Sequence, residues 1–271
     1  MDTILIDGNK IRDEIAVLLR NKAKSLPLKL VCFVTFGGNI ATRQFVARKM
    51  AFAQEIGVQA VSRELRAENT KDALTQLQTL IDENYDGIVI QLPIDNRLET
   101  DTLLDAVPIE LDIDILSAKA KLALREGKTK RLPPVAGAVR KIFEKYDITP
   151  EGKKMVILGK GRLVGEPVSE LFSGLGIPYN IFDINSDIID RNRALSEADI
   201  VISGVGKPNL VVPEMLKQGV VLIDAGTSEQ AGKLVGDIDP GCTGKASLLT
   251  PVPGGIGPIT VATLFSNLFS N

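Results

Sequence analysis

The segment KMVILGKGRLVGEPVSELFSGLG, residues 154–176, decides the fold. KMVILG (154–159) is a short apolar run of strand character. GKGRLVG (159–165) is a glycine-rich turn, and VGEPVSELFSGLG (164–176) reads as a helix. Pro167 is tolerated there because the first helical turn needs no backbone N–H donor. A strand that passes through a tight turn into a helix is half of a right-handed βαβ unit and predicts a mainly parallel sheet. The spacing G-x-G-x-x-x-G is one residue longer than the usual dinucleotide fingerprint. By itself it fits a ligand-free βα turn as well as a pyrophosphate cradle.

The same alternation continues on both sides. IPYNIFDI (177–184), ADIVISGVG (198–206) and GVVLIDAG (219–226) read as strands, the last two closed by glycine. Three glycine-ended tips, with SGVGKP (203–208) and DAGTS (224–228) beside the first turn, suit a nucleotide cleft. Upstream, residues 9–24 place Ile11, Ile15, Leu18 and Leu19 on one helical stripe. KLVCFVTF (29–36) is a strand ended by Gly37 and Gly38. A helix over 41–56, a strand over 58–63 and a helix over 70–83 follow. GIVIQLP (87–93) is a buried strand stopped by Pro93. A helix near 99–106 then leads into the acidic loop PIELDIDIL (108–116). After REGKTKR (125–131), PPVAGAVRKIFEKY (133–146) reads as a helix with proline at its start. The expectation is an α/β protein of two lobes. The first spans 1–125 and is completed by a C-terminal helix over 256–271; the second, of Rossmann type, spans 126–255.

TPVPGGIGPITVATL (250–264) packs three prolines and three glycines into its first nine positions and runs directly into an apolar helix. Such a loop has a fixed path and can approach a flat ligand closely. Thr260 is expected to open the helix.

Composition narrows the chemistry. The chain has 271 residues, 44% hydrophobic and 24% charged, with a net charge of −2. Neither a nucleic-acid backbone nor an anionic membrane is favoured as a partner, and no apolar run approaches the roughly 20 residues that span a bilayer. The N-terminus does not read as a signal peptide. Cys32 and Cys242 are far apart and read as free thiols in a reducing cytoplasm. There is no histidine. That excludes Ser-His-Asp and Cys-His catalysis and histidine-bearing zinc sites, and no metal is expected. Proton transfer falls to Lys, Asp, Glu, Tyr or water.

Two groups of residues are candidates for a site. In the glycine turn, Lys160 and Arg162 are cations available to a ribose 2′-phosphate. Asp183, 24 residues after Gly159, would instead hold a free ribose hydroxyl and repel a phosphate. The residues leave NADP and NAD both open. In the first lobe, Lys49 lies in a helix with Phe45 four residues earlier and so on the same face. Gln91 ends a buried strand, and Asp114 sits in the acidic loop. A lysine near Asp and Gln in a partly dry cleft can carry protons, since burial lowers its pKa and a carboxylate raises it. Separation in sequence does not by itself group these three.

With these stretches together, the chain resembles the bifunctional methylenetetrahydrofolate dehydrogenase/methenyltetrahydrofolate cyclohydrolase family, essentially end to end. LLTPVPGGIGPITVATLFSN (248–267) resembles its C-terminal signature almost without change; ADIVISGVGKP, GVVLIDAGTS and KLVGDID (233–239) follow closely. GKGRLVGEP (159–167) is similar to its G-R-S-x-x-V-G-x-P turn, with Lys160 at the arginine and Gly161 at the serine. The resemblance implies oxidation of 5,10-methylenetetrahydrofolate and hydrolysis to 10-formyltetrahydrofolate. It also implies folate between the lobes, a homodimer through the Rossmann lobe, and NADP with NAD as the alternative. The implied catalytic lysine is Lys49, supported by Gln91, with Asp114 gripping the pterin. Phe45, Pro253, Gly254 and Gly255 are the implied substrate neighbours. The cofactor would touch Gly159, Lys160, Gly161, Arg162, Val164, Gly165, Ser186, Gly204, Gly206 and Thr227.

The departures are specific. Phe45 stands where the family has tyrosine, and Leu111 and Ile115 replace the lysine and glycine that flank the acidic pair. RLPPVAG (131–137) departs from P-C-T-P-x-G, and Asn185 stands where a histidine is usual. A dehydrogenase without the hydrolytic step, or a non-catalytic binding homologue, are the alternatives these changes leave.

Overall fold

The computed structural model describes residues 2–37, 40–230 and 232–270; Gly38, expected to help end a strand, lies outside them. In chain order the elements are β1 (Ile4–Leu5), α1 (Gly8–Lys24), β2 (Leu30–Phe36), α2 (Ile40–Glu55), β3 (Gln59–Leu65), α3 (Thr70–Ile81), β4 (Gly87–Ile90), α4 (Thr100–Ala106) and α5 (Ala118–Arg125). They continue with α6 (Pro134–Lys145), β5 (Met155–Leu158), α7 (Gly165–Gly174), β6 (Asn180–Phe182), α8 (Ile188–Glu197), β7 (Ile200–Ser203), β8 (Val220–Asp224), β9 (Ser228–Gln230), β10 (Lys233–Val235), β11 (Ala246–Leu249) and α9 (Ile256–Leu268).

Contacts group the chain into two units. One joins the residues up to Arg12 with Val135–Thr260; the other joins Asp13–Pro134 with the residues from Val261 on. The sequence placed the division at 125/126 and assigned the whole N-terminus to the first lobe. Two physical facts set it otherwise. β1 pairs in parallel with β11, Ile4 opposite Leu248, which draws the first residues into the second unit. Arg131 donates to Ile109 O and Glu110 O, and the Leu132 N–H donates to Asn267 Oδ1, which holds 126–134 in the unit of residues 13–134. α9 is divided between the units, its residues from Val261 on grouping with 13–134.

The unit around residues 13–134 holds a parallel sheet in the order β3-β2-β4. Every residue of β4 is buried, which a strand covered on both faces requires. α1 lays Ile11, Ile15, Ala16 and Leu19 inward, while Leu18 is 64% exposed. At 100° per residue the buried arc runs from Ile11 to Ala16, and Leu18 falls beyond its edge. From α9, Phe265 is fully buried, and its ring lies 6.3 Å from Phe33 and 5.6 Å from Phe52.

The other unit holds a six-stranded parallel sheet in the order β1-β11-β8-β7-β5-β6. β6 lies on one side of β5 and β7 on the other, so the order reverses at β5. Ligands bind beyond the carboxyl ends of the strands at such a reversal. α9 begins at Ile256, so Thr260 does not open it. Thr260 sits one turn inside and donates its hydroxyl to the Ile256 carbonyl at 3.0 Å. The start belongs instead to the tight loop before it, where the Gly255 N–H donates to Pro251 O at 2.8 Å.

Because Phe265 couples α9 to the β2 layer, Phe265→Ala is expected to destabilise the protein by about 3–5 kcal/mol through cavity formation. Urea unfolding measures it; a loss below about 1 kcal/mol would mean the helix is not packed as described.

Candidate active site

The structure brings Lys49, Gln91 and Asp114 together. Each comes from a different element. Lys49 projects from the third turn of α2. Gln91 follows β4 directly, held by its N–H to Val34 O at 2.8 Å, and the strand stops at the cis Leu92–Pro93 bond. Asp114 lies in the acidic loop, which docks on β4 through a parallel bridge between Ile88 and Asp112.

Lys49 Nζ donates to Gln91 Oε1 at 2.9 Å, and it lies 5.9 Å from the centre of the Phe33 ring. Gln91 is only 9% exposed, and its amide nitrogen donates to Leu92 O at 2.8 Å. The glutamine therefore has a fixed orientation, with its oxygen facing the amine. Burial pushes the Lys49 pKa down, and the Asp114 carboxylate pulls it partly back. Burial pushes the Asp114 pKa up, opposed by Lys49 and reinforced by Asp112. These are opposite responses to one partly buried environment: each group disfavours its own charge and favours its partner's.

The loop that carries Asp114 is held from two sides. Asp112 is buried, and its Oδ2 accepts the N–H groups of Leu116 at 3.1 Å and Ser117 at 2.9 Å. Asn267 of α9, also buried, donates Nδ2 to Ile113 O and to Leu132 O, each at 2.8 Å. Arg131 Nη1 donates to Ile109 O at 3.1 Å and Glu110 O at 2.9 Å. Sequence reading missed these supports. Asn267 stood inside the quoted C-terminal signature, yet nothing in the sequence showed which carbonyls it meets. Phe45 lies one turn before Lys49 and is 36% exposed, with the Arg48 guanidinium 5.9 Å from its ring centre.

Pro253, Gly254 and Gly255 belong to the other unit. Gly254 O accepts the Gly8 N–H at 2.8 Å. A side chain at Gly8 would fall 1.7 Å from Gly255 O, so the loop seats on the start of α1 only because residue 8 is glycine.

In the same unit Gly159, Lys160, Gly161, Arg162, Val164 and Gly165 form the turn between β5 and α7. A Cβ on Gly165 would lie 1.9 Å from Gly159 O, and one on Gly204 would lie 2.2 Å from Val164 Cγ1. The turn and the tip of β7 therefore close on each other with no room for side chains. Gly161 faces open space. A close-packed glycine turn, a ten-residue helix whose N-terminus begins there and two cations suit a dinucleotide pyrophosphate. Gly206 and Thr227 flank the next strand tips. Ser228 Oγ donates to Gly206 O at 2.6 Å, which ties those tips together. Ser186 follows β6 and accepts the Asp183 N–H at 2.8 Å.

Beneath these tips lies a second feature absent from the sequence reading. Asp224 and Asp237 are both buried. Asp237 accepts Ser203 Oγ and the Val205 N–H at 2.7 Å each, and the Lys207 N–H at 2.8 Å. Asp224 accepts the N–H groups of Gly226, Asp237 and Ile238. Burial pushes its pKa up to about 6. Together they fix the backbone of the loops after β7 and β8. Among the described residues no cluster of His, Cys, Asp and Glu could hold a metal ion.

The family model described as the tetrahydrofolate dehydrogenase/cyclohydrolase catalytic domain matches residues 6–114, and its NAD(P)-binding domain matches residues 133–271. The bifunctional protein FolD of Mycoplasmopsis synoviae is 35% identical over 270 residues, 97% of this chain and 94% of that protein. The crystal structure of the bifunctional FolD methylenetetrahydrofolate dehydrogenase/cyclohydrolase from Campylobacter jejuni superposes with a TM-score of 0.90 at 29% identity, covering 98% of this chain and 97% of that one. The Trypanosoma brucei dehydrogenase-cyclohydrolase, solved with NADP and an inhibitor, also gives 0.90, at 28% identity over 99% and 97% of the two chains.

Asp114→Asn should lower the Lys49 pKa further, because it removes the negative charge that favours the ammonium. NMR titration of the Lys49 side chain in the free protein reads this directly. A midpoint that stays put or rises would separate the two groups.

Proposed function

The chain belongs to the tetrahydrofolate dehydrogenase/cyclohydrolase family and carries both of its domains, and we propose that Lys49 performs its proton transfers. The protein oxidises 5,10-methylenetetrahydrofolate to 5,10-methenyltetrahydrofolate and hydrolyses that product to 10-formyltetrahydrofolate, as part of one-carbon metabolism. The observation that carries the assignment of roles is the Lys49 amine, held at 2.9 Å by a buried glutamine and electrostatically coupled to Asp114.

In the first step the nicotinamide, when bound, supplies the acceptor for hydride from the methylene carbon. The chain's own work is to bind and orient. The turn Gly159–Gly165 and the tips of β7 and β8 take the dinucleotide. Lys160 and Arg162, as cations, support NADP, with NAD as the alternative.

In the second step water adds to the methenyl carbon, which is already cationic and needs no metal to activate it. Neutral Lys49 accepts one proton as the C–O bond forms. As the bond from that carbon to N5 opens, the ammonium returns a proton to N5, and the carbinol O–H gives its own proton to solvent. The sum is one water consumed and one proton released. Gln91 keeps the amine aimed in either protonation state, because its oxygen accepts from both. Asp114 bonds the amide and amine edge of the pterin and keeps the lysine basic enough to be reprotonated.

Around this core, tetrahydrofolate derivatives are the partners, and a homodimer is the assembly. Ile184, Ile188 and Ile189, exposed at 96%, 59% and 72%, flank β6 at the edge of the large sheet and support pairing with a second copy. Cys32 and Cys242 are buried and unpaired, which suits a cytoplasmic setting. Among the described residues no helix is long and apolar enough to cross a membrane.

A second reading, dehydrogenase without cyclohydrolase, rests on Phe45. It stands one turn before Lys49 and brings no hydroxyl to the reacting carbon.

Lys49→Met is expected to reduce methenyl hydrolysis to near the uncatalysed rate, a loss of about 100-fold or more for a missing general acid/base. The decay of methenyl absorbance measures it; unchanged hydrolysis would remove Lys49 from its role. Phe45→Tyr is expected to raise the ratio of cyclohydrolase to dehydrogenase rates, and an unchanged or lower ratio, from paired assays, would count against the Phe45 argument.

A further inference from the structure

We propose that Asp183 limits the preference for NADP over NAD, by engaging Lys160 in an ion pair and presenting a fixed carboxylate at the end of β6. The inference rests on the reading of the 159–165 turn as the dinucleotide site and deepens it.

The two signals that conflicted in the sequence are in contact in the structure. Lys160 Nζ lies 3.1 Å from Asp183 Oδ2. The acid is not a loose surface group. Its Oδ1 accepts the Asn185 N–H at 2.9 Å and the Ser186 hydroxyl at 3.1 Å, while its own N–H donates to Ser186 Oγ at 2.8 Å. Backbone and side chain are thus both pinned, and the carboxylate has one orientation. Its pKa is lowered, first by the hydrogen bond from Lys160 and then by the Asn185 N–H, so it is ionised at neutral pH.

β6 is the second strand of the βαβ unit that opens this sheet. The end of that strand is where such folds meet the adenosine ribose, and a carboxylate there accepts from a ribose 2′-hydroxyl. A 2′-phosphate brings close to two negative charges at neutral pH. It could use Lys160 only while that lysine is shared with a neighbouring carboxylate. Repulsion across about 5–6 Å at a dielectric between protein and water costs about tenfold in affinity or more. A lysine has three donors and a flexible stem, so sharing remains open to it, and the site takes both cofactors. The cation draws the phosphorylated ribose, and the acid limits how far it is preferred.

The test uses two probes that carry no nicotinamide: 2′,5′-ADP and 5′-AMP, titrated calorimetrically into the full-length protein. Asp183→Asn keeps the side-chain shape and an oxygen for Asn185 and Ser186, and removes only the charge. It should raise the affinity for 2′,5′-ADP about tenfold relative to 5′-AMP. Lys160→Ala should weaken 2′,5′-ADP binding while changing 5′-AMP binding less than twofold. The ratio of kcat/KM with NADP to kcat/KM with NAD should move the same way in Asp183→Asn. A ratio of affinities that stays the same or falls in Asp183→Asn overturns the role of Asp183. Absence of binding by either probe to the unaltered protein overturns the nucleotide-site reading itself, and the proposal with it.

Discussion

An ammonium group partly withdrawn from water needs a partner, or its charge is disfavoured. That constraint organises the first unit. Lys49 comes from a helix whose other residues are mixed in character, and nothing in α2 alone would hold its amine in place. What holds it is the end of β4 and the loop beside it. Gln91 supplies an oxygen that serves either protonation state, and Asp114 supplies a charge that favours one of them. The neighbouring Asp112 works against Asp114's ionisation, yet it spends its own charge on the N–H groups of Leu116 and Ser117. The two acids of the loop therefore divide their labour. One builds the loop and the other faces the lysine.

The second unit solves a different problem with the same chemistry. Its sheet must present several strand tips at one place with almost no side chain between them. Close approach of backbones leaves N–H groups that need acceptors away from bulk water. Asp224 and Asp237 provide those acceptors from beneath. The fit is tight enough that a Cβ on Gly226 would fall 2.1 Å from Asp237 Cγ, and one on Gly236 2.0 Å from Asp224 Oδ2. Each glycine near these acids is the space a carboxylate occupies.

Much of this was legible in the residues. Apolar runs and glycine stops located β2, β4, β5, β7 and β8, because buried parallel strands are continuous hydrophobic segments. α5, α8 and the β9–β10 hairpin escaped notice. α5 is an eight-residue helix that buries only the small side chains Ala120 and Ala123, and α8 opens on two exposed isoleucines and buries only Leu195, so neither shows a stripe of large apolar residues like that of α1. β1 is two residues long and exists only because β11 offers it an edge. In the site, Lys49, Gln91 and Asp114 are separated by tens of residues, and only the resemblance grouped them. Their contact is a property of the β3-β2-β4 order, which no local pattern encodes. The pairing of Lys160 with Asp183 was hidden for the same reason: the sequence offered two charges, and the distance between them came from the fold.

Ile115 shows how a departure from the family pattern can leave the site standing. It occupies the position where the family has glycine, and its φ is +55°. A β-branched residue in the left-handed region costs roughly 1–2 kcal/mol. Its side chain is 1% exposed, and full burial of an isoleucine contributes about 1.5–3 kcal/mol, which offsets the strain. The conformation is not left to Ile115 to choose. Asp112 holds the residues after it through Leu116 and Ser117, and Asn267 holds the carbonyl two residues before it. Both flanks are thus held by hydrogen bonds around the left-handed backbone at 115. The acid before it faces Lys49 because of its neighbours' hydrogen bonds, and a glycine is only one way of meeting that geometry.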